Sequence, residues 1–267
     1  MRDFAYHRPT SAQEAVRLRQ GAADGAYLAG GMTLIPTLKQ RLADPSDLVD
    51  LGALSDLVGV RTEGGALVIG AMTRHAAVAA SPDVRRAIPA LAQLAGGIGD
   101  PQVRNRGTIG GSVANSDPAA DYPAAVIALG ATIRTDRREI AAGDYFKDLF
   151  TTALESGELI REVAFPVPRR AAYRKFPHPA SRYAVAGVFV ADFGTADIRV
   201  GVTGAGPCAF RATSLEQALA ARLDATALDG AAIDSSHFNS DLAASAEFRA
   251  QLVRTMARRA VADLLAG

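Results

Sequence analysis

The sequence predicts an α+β protein in two parts, and three observations support this. A strand–diglycine–helix–strand unit lies near the N-terminus. Short strands and helices run through the middle. A valine-rich antiparallel pair and a long amphipathic helix lie near the C-terminus. With 267 residues, 49% of them apolar, the chain can bury a sizeable core without disulfides or metal staples.

In chain order, Ser11-Ala12-Gln13-Glu14 fits a capping box, and Ala12, Ala15, Val16 and Leu18 form a helical apolar stripe that Gly21 closes. Ala26 to Ala29 reads as a short buried strand stopped by Gly30-Gly31. A helix over Thr33–Leu42 and a strand over Asp47–Leu51 complete a βαβ pattern. Ala66–Ala71 is strand-like after the Gly64-Gly65 turn. Helices are expected near Arg74–Ala80 and Asp83–Leu94, then a long glycine- and Asn-containing loop from Gly96 to about Asp121. Pro123–Leu129 reads as a short buried helix, and Ala131–Arg134 and Glu158–Phe165 as strands. Pro166, Pro168, Pro177 and Pro179 punctuate the chain, which places the major boundary there. The expected domains are 1–167, subdivided at about 56/57, and 168–267. In the second, Tyr183–Phe193 and Ile198–Thr203 form an antiparallel pair, with helices at Leu215–Leu223 and Phe248–Leu265.

Composition removes several functions. Lys plus Arg number 29 against 28 for Asp plus Glu, so the basic excess of a nucleic-acid binder is missing. The single cysteine, Cys208, excludes a disulfide framework, a four-cysteine zinc site and a self-contained iron–sulfur cluster. His7, His75, His178 and His237 lie too far apart in sequence to form a local metal pair. The N-terminus lacks a signal-peptide layout and no stretch has the ~20 apolar residues of a membrane span, so a soluble, cytoplasmic protein is expected. His75 beside Arg74, and His178 between prolines, read as solvated or structural rather than catalytic.

Two segments carry chemistry. Ala29-Gly30-Gly31-Met32-Thr33-Leu34 joins a buried strand to a helix. Adjacent glycines there let backbone amides approach an anion, unless the segment is an ordinary turn. Gln102 to Ser112, with Asp117-Pro118-Ala119-Ala120-Asp121 downstream, is polar and glycine-punctuated between apolar segments. Thr108 and Ser112 offer hydroxyls there, and Gly110 and Gly111 offer amides. Asp121 either accepts from a ribose or ribityl hydroxyl or caps the helix that follows. Two anion cradles suit a dinucleotide, yet neither is GxxxxGK[ST] or GxGxxG, which argues against P-loop and Rossmann sites. No GxSxG elbow surrounds a serine.

AGGMTL followed some seventy residues later by QVRNRGTIGGSVANSDPAAD resembles the FAD-binding medium subunit of molybdenum hydroxylases. That group contains the flavoprotein subunit of carbon monoxide dehydrogenase and the FAD domain of xanthine dehydrogenase. GELIREVAFP, YRKFPHPASRYAVAGVFVA and the C-terminal DLAASAEFRAQLVRTMARRAV extend the likeness over the whole chain. The resemblance implies a two-part FAD-binding domain of the vanillyl-alcohol-oxidase/p-cresol-methylhydroxylase type, followed by a small α+β domain with an antiparallel sheet. The implied FAD-contacting residues are Leu28, Ala29, Gly30, Gly31, Met32, Thr33 and Leu34 in the first turn and Thr108, Ile109, Gly110, Gly111 and Ser112 in the second. Ile98, Asp121, Ile160 and Lys175 complete the set, and Tyr183 is a candidate neighbour of the isoalloxazine ring. Met32 and Ser112 depart from residues common in relatives, which a backbone-driven site tolerates.

The resemblance further implies an electron-transfer role with no catalytic acid or base and no metal in this chain. Molybdopterin and [2Fe–2S] clusters would sit in separate large and small subunits, as a dimer of heterotrimers, and the acceptor would be a quinone, NAD or oxygen. A stand-alone FAD-dependent oxidase or reductase and a non-catalytic nucleotide-binding module are the alternatives.

Overall fold

A computed structural model describes residues 1–266. The N-terminal unit is a three-stranded parallel sheet in the order Ala5–His7, Asp47–Asp50, Gly25–Leu28. The middle strand is the last in sequence because the helices Ala12–Gly21 and Leu34–Lys39 supply the crossovers. Ser11 caps the first helix, its Oγ accepting from the Glu14 amide at 3.1 Å, and Glu14 reaches back to the amide and hydroxyl of Thr10. Ala15, Val49, Leu51, Leu54 and Leu57 form a small core under this sheet, joined by Met72 and Leu159 from the middle of the chain.

The second sheet is antiparallel, in the order Val60–Glu63, Ala66–Gly70, Ile160–Pro166, Thr132–Thr135, Glu139–Ala141. Its inner face, with Leu67, Ile69, Val163 and Phe165, packs with helices Pro89–Gly96 and Tyr122–Leu129 in the largest apolar cluster. All eight residues of Tyr122–Leu129 are buried, because the helix also lies on the third sheet. A side chain at Gly201 would strike the Ala124 carbonyl and come within 2.9 Å of the Ala128 amide nitrogen, so glycine sets that spacing.

The third sheet, antiparallel, runs Arg170–Pro177, Ala184–Asp192, Ile198–Thr203, Phe210–Arg211. Helix Ala246–Ala266 packs on it opposite Tyr122–Leu129. Every residue of Ala184–Asp192 is therefore buried, which explains its unbroken apolar run.

Four expectations need correction. The presumed loop from Gly96 to Asp121 contains two helices, Pro101–Arg106 and Ile109–Asn115. Asp100 Oδ1 accepts from the Val103 amide, and Thr108 Oγ1 from the Gly111 amide. The helix over Asp83–Leu94 is two, Pro82–Ala87 and Pro89–Gly96, because Ile88 precedes a proline and takes φ −141°, ψ 77°. The helix over Thr33–Leu42 spans Leu34–Lys39. The proline-rich stretch after Pro166 holds the strand Arg170–Pro177, whose prolines stay out of the strand interior.

Candidate functional site

A cavity of about 630 Å³ lies where the N-terminal unit meets the second part of the chain. Its size suits a sizeable small-molecule ligand. One wall is the turn Ala29–Leu34, a second is Gly107–Asn115, and the segments 152–160 and 181–183 complete the rim.

The two glycine turns touch. A side chain at Gly30 would run into the Arg106 carbonyl oxygen and lie 2.7 Å from the Gly107 Cα, so only glycine allows this backbone-on-backbone approach. Gly31 takes φ +73°, a left-handed conformation that glycine adopts without strain. The amides of Gly30, Gly31, Met32 and Thr33 donate to no protein acceptor among the described residues. Thr33, at the start of the helix, makes no capping bond with its hydroxyl. Four consecutive amides without partners beside a cavity form an anion-binding concavity.

The second turn works differently and corrects the expectation that Gly110 and Gly111 expose their amides. The Ile109 amide donates to the Thr73 carbonyl at 3.1 Å, and the Gly110 amide to the Ala71 carbonyl at 2.8 Å. The Gly111 amide donates to Thr108 Oγ1 at 3.1 Å, and the Ser112 amide to the Thr108 carbonyl at 3.0 Å. A side chain at Gly110 would lie 2.5 Å from the Ala71 Cβ. These glycines let the helix pack against the segment Ala71–Thr73 and bring the Ser112 side chain to the cavity wall.

Of the residues predicted from sequence, Ala29, Gly30, Gly31, Met32, Thr33, Leu34, Ile98, Thr108, Gly110, Gly111, Ser112, Asp121 and Ile160 line this one cavity. Leu28, Ile109 and Lys175 do not. Leu28 supports Gly31 from beneath, its Cδ1 3.3 Å from where a Gly31 side chain would begin, and Ile109 is fully buried.

Lys175 stands behind the wall. Its Nζ donates to the Gly97 carbonyl at 2.9 Å, to the Arg182 carbonyl at 3.0 Å and to Asp121 Oδ2 at 3.0 Å, which uses all three of its protons. Asp121, 4% exposed, also accepts from the Tyr173 hydroxyl at 2.5 Å. Its side chain makes no capping bond to the helix that follows, so that alternative fails. Burial pushes the Asp121 carboxyl up against the opposing pull of Lys175 and Tyr173, and burial followed by Asp121 pushes the Tyr173 phenol well up. The result is a cross-brace from the end of helix Pro89–Gly96 to the segment carrying Tyr183.

Sequence reasoning missed three contributors to the cavity: His75, Tyr27 and the segment Thr152–Leu159. His75 is 5% exposed, not solvated. Its amide donates to the Gly107 carbonyl at 3.0 Å within a short antiparallel bridge between Arg74 and Thr108. Burial, then the nearby Arg104, pushes the imidazole pKa down to about 4. Tyr27 donates to the Gly157 carbonyl at 3.0 Å, and burial, then Asp136, pushes its phenol up to about 12. The buried Glu158 anchors the 152–160 segment. Burial opposes its ionisation, but Arg138, the Glu155 amide and Thr135 outweigh that and hold it at about 2. In the sequence this segment was marked only as the start of a strand, Glu158–Phe165, and by the GELIREVAFP likeness, neither of which placed residues 152–159 at the cavity.

This fold and cavity belong to a known class. Residues 2–168 match the family described as FAD binding domain in molybdopterin dehydrogenase, and the chain belongs to that family. It is an oxidoreductase subunit of the medium-chain, FAD-binding type. Among its relatives, the carbon monoxide dehydrogenase medium chain of Afipia carboxidovorans is 43% identical over 70% of this chain and 68% of its own length. The glyceraldehyde dehydrogenase medium chain of Sulfolobus acidocaldarius is 34% identical over 98% of both. A chain of reconstituted CO dehydrogenase from Oligotropha carboxidovorans superposes with a TM-score of 0.92 at 37% identity, covering 99% of this chain and 98% of that one. A chain of quinoline 2-oxidoreductase from Pseudomonas putida 86 gives a TM-score of 0.90 at 28% identity, covering 100% and 98%. Among the described residues no helix is long and apolar enough to cross a membrane.

Proposed function

We propose that this chain is the electron-transfer subunit of a molybdenum hydroxylase and holds its FAD in the cavity between the two glycine turns. FAD supplies chemistry in one- and two-electron steps, which suits a relay from [2Fe–2S] clusters of a small subunit to an external acceptor. The observation that carries the reading is the run of partnerless amides, Gly30 to Thr33, beside a cavity large enough for a dinucleotide. A diphosphate fits that donor set, since its oxygens only accept and four amides only donate. The rest of the wall includes Ile98, Val103, Leu154 and Ile160, apolar surface that excludes water from a flat ring, with Tyr183 at the rim. Asp121 keeps its carboxylate at the wall, where a sugar hydroxyl can donate to it, while Lys175 and Tyr173 fix its position.

Lys175 acts on this site as a brace, through Asp121 and the Arg182 carbonyl, instead of touching the cofactor. We place the cofactor-binding part of the chain at residues 1–167 and a covering domain at 168–267. The assembly is a dimer of heterotrimers with a molybdopterin-binding large subunit and a [2Fe–2S] small subunit, working in the cytoplasm. Names of relatives support this reading, being medium chains and a medium subunit of dehydrogenases and hydroxylases.

The test has two stages. The purified chain is expected to take up FAD and turn yellow, and a chain that stays colourless with excess FAD overturns the assignment. In a complex with the proposed large and small subunits, the flavin is expected to bleach when substrate is added. Steady turnover of an organic donor by the isolated chain would instead favour a self-sufficient flavoenzyme.

A further inference from the structure

His75 is the most enclosed polar side chain at the cavity whose ring has no bonding partner. Its Nδ1 is buried and has no hydrogen-bond partner, and the residue lines the cavity. The ring sits under the meeting point of the two glycine turns. A side chain at Gly107 would lie 2.6 Å from His75 Nε2, and Gly107 is the residue against which Gly30 packs. One face of the ring is covered by Tyr122, with ring centroids 5.3 Å apart.

These facts assign the tautomer. A proton on Nδ1 would be a buried, unpaired N–H, costing about 1–3 kcal/mol. The proton therefore resides on Nε2, the nitrogen beside the cavity wall. An N–H there also needs an acceptor, and the ligand is the group available to supply one. Burial among apolar neighbours, with Arg104 nearby, keeps the ring uncharged at neutral pH.

We propose that His75 is a further ligand-binding residue of this site, donating one hydrogen bond from Nε2 to the diphosphate bridge of the bound dinucleotide. The proposal rests on the FAD reading above and adds a side-chain donor to the Gly30–Thr33 amides. Gly107 then matters to the site as well, since a side chain there would collide with the imidazole at Nε2 and displace it.

The test uses the full chain after reversible removal of flavin, titrated separately with FAD, ADP and riboflavin. In His75→Ala, affinity for FAD and for ADP is expected to fall about tenfold or more, as for a lost hydrogen bond to an anion, with riboflavin binding unchanged. His75→Gln, which can place an N–H near the Nε2 position, is expected to recover part of the loss. Equal ADP affinities in wild type and a folded His75→Ala overturn the proposal, as does an equal loss of riboflavin binding. If the variants do not fold, wild-type chain labelled with 15N-histidine decides. The His75 signals should show the Nε2–H tautomer and move on adding ADP but not riboflavin, and an Nδ1–H tautomer or an unmoved signal overturns the proposal. A wild-type chain that binds neither FAD nor ADP refutes the FAD reading itself, a result distinct from any of these.

Discussion

The two glycine turns look alike in sequence and do opposite work. In the first, Gly30 and Gly31 leave a run of amides without protein partners, and the positive φ of Gly31 shapes that run. In the second, the amides of Gly110 and Gly111 are consumed inside the protein, and the glycines serve as missing side chains. The first turn is a donor surface and the second is a packing device. A diglycine therefore does not by itself mark a phosphate cradle. What distinguishes the two is where each N–H ends: Gly111 bonds to the nearby Thr108, but the partner of Gly110, Ala71, lies more than thirty residues away in sequence.

Substitutions can sharpen or break this contrast. Gly30→Ala should be the most severe, because its methyl meets backbone that cannot rotate away. A loss on the order of 3 kcal/mol in urea unfolding is expected, together with loss of flavin from the purified protein. If Gly30→Ala is tolerated, the close approach of the turns is not needed. His75 beneath their junction gives a pH signature in the flavin-free chain. Above about pH 6.5 its ring is neutral folded and unfolded. As pH falls toward about 4 the unfolded chain takes a proton that the folded site refuses, so stability falls by up to roughly 3 kcal/mol. His75→Gln should remove that part of the acid sensitivity, as followed by chemical denaturation across this range.

Gly110→Ala, crowding Ala71, is expected to lower stability by about 2 kcal/mol while the folded fraction binds FAD as before. Gly31→Ala should show the reverse balance: about 1–2 kcal/mol of backbone strain and a weakened hold on FAD, measured by flavin fluorescence. Equal effects of these two on affinity would erase the distinction between the turns. The smallest effect is expected for Thr108→Ala, which removes a helix cap worth about 1 kcal/mol.

Much of the frame was legible because local rules agreed with the global fold. The βαβ unit around Gly30, the antiparallel pair Ala184–Asp192 and Ile198–Thr203, and the C-terminal helix all follow from periodicity and glycine placement. Helix Ile109–Asn115 was hidden by its two glycines, which lower helix propensity and here serve packing. Strand Arg170–Pro177 was hidden by the prolines flanking and ending it. Within the site, the first turn could be read since its chemistry is local backbone chemistry. The Lys175–Asp121 brace joins residues 54 apart, so it could not be read from sequence, where Lys175 entered only through the family resemblance. Of the two readings left open for His75, solvated or structural, the structure selects the buried one, and the bridge between Arg74 and Thr108 that sets this lies beyond the reach of local sequence.

The contact of Gly30 with Arg106 and Gly107 is a seam between the parallel three-stranded unit and the rest of the molecule, backed by a small apolar cluster. On the proposed reading a guest along that seam bonds to both sides, so its capture and the tightening of the N-terminal unit are expected to be a single equilibrium. The empty protein should breathe there first, with amide exchange in Gly25–Leu28 and Asp47–Asp50 slowing once the guest is in place. Cofactor retention during assembly then reports how firmly that unit is held.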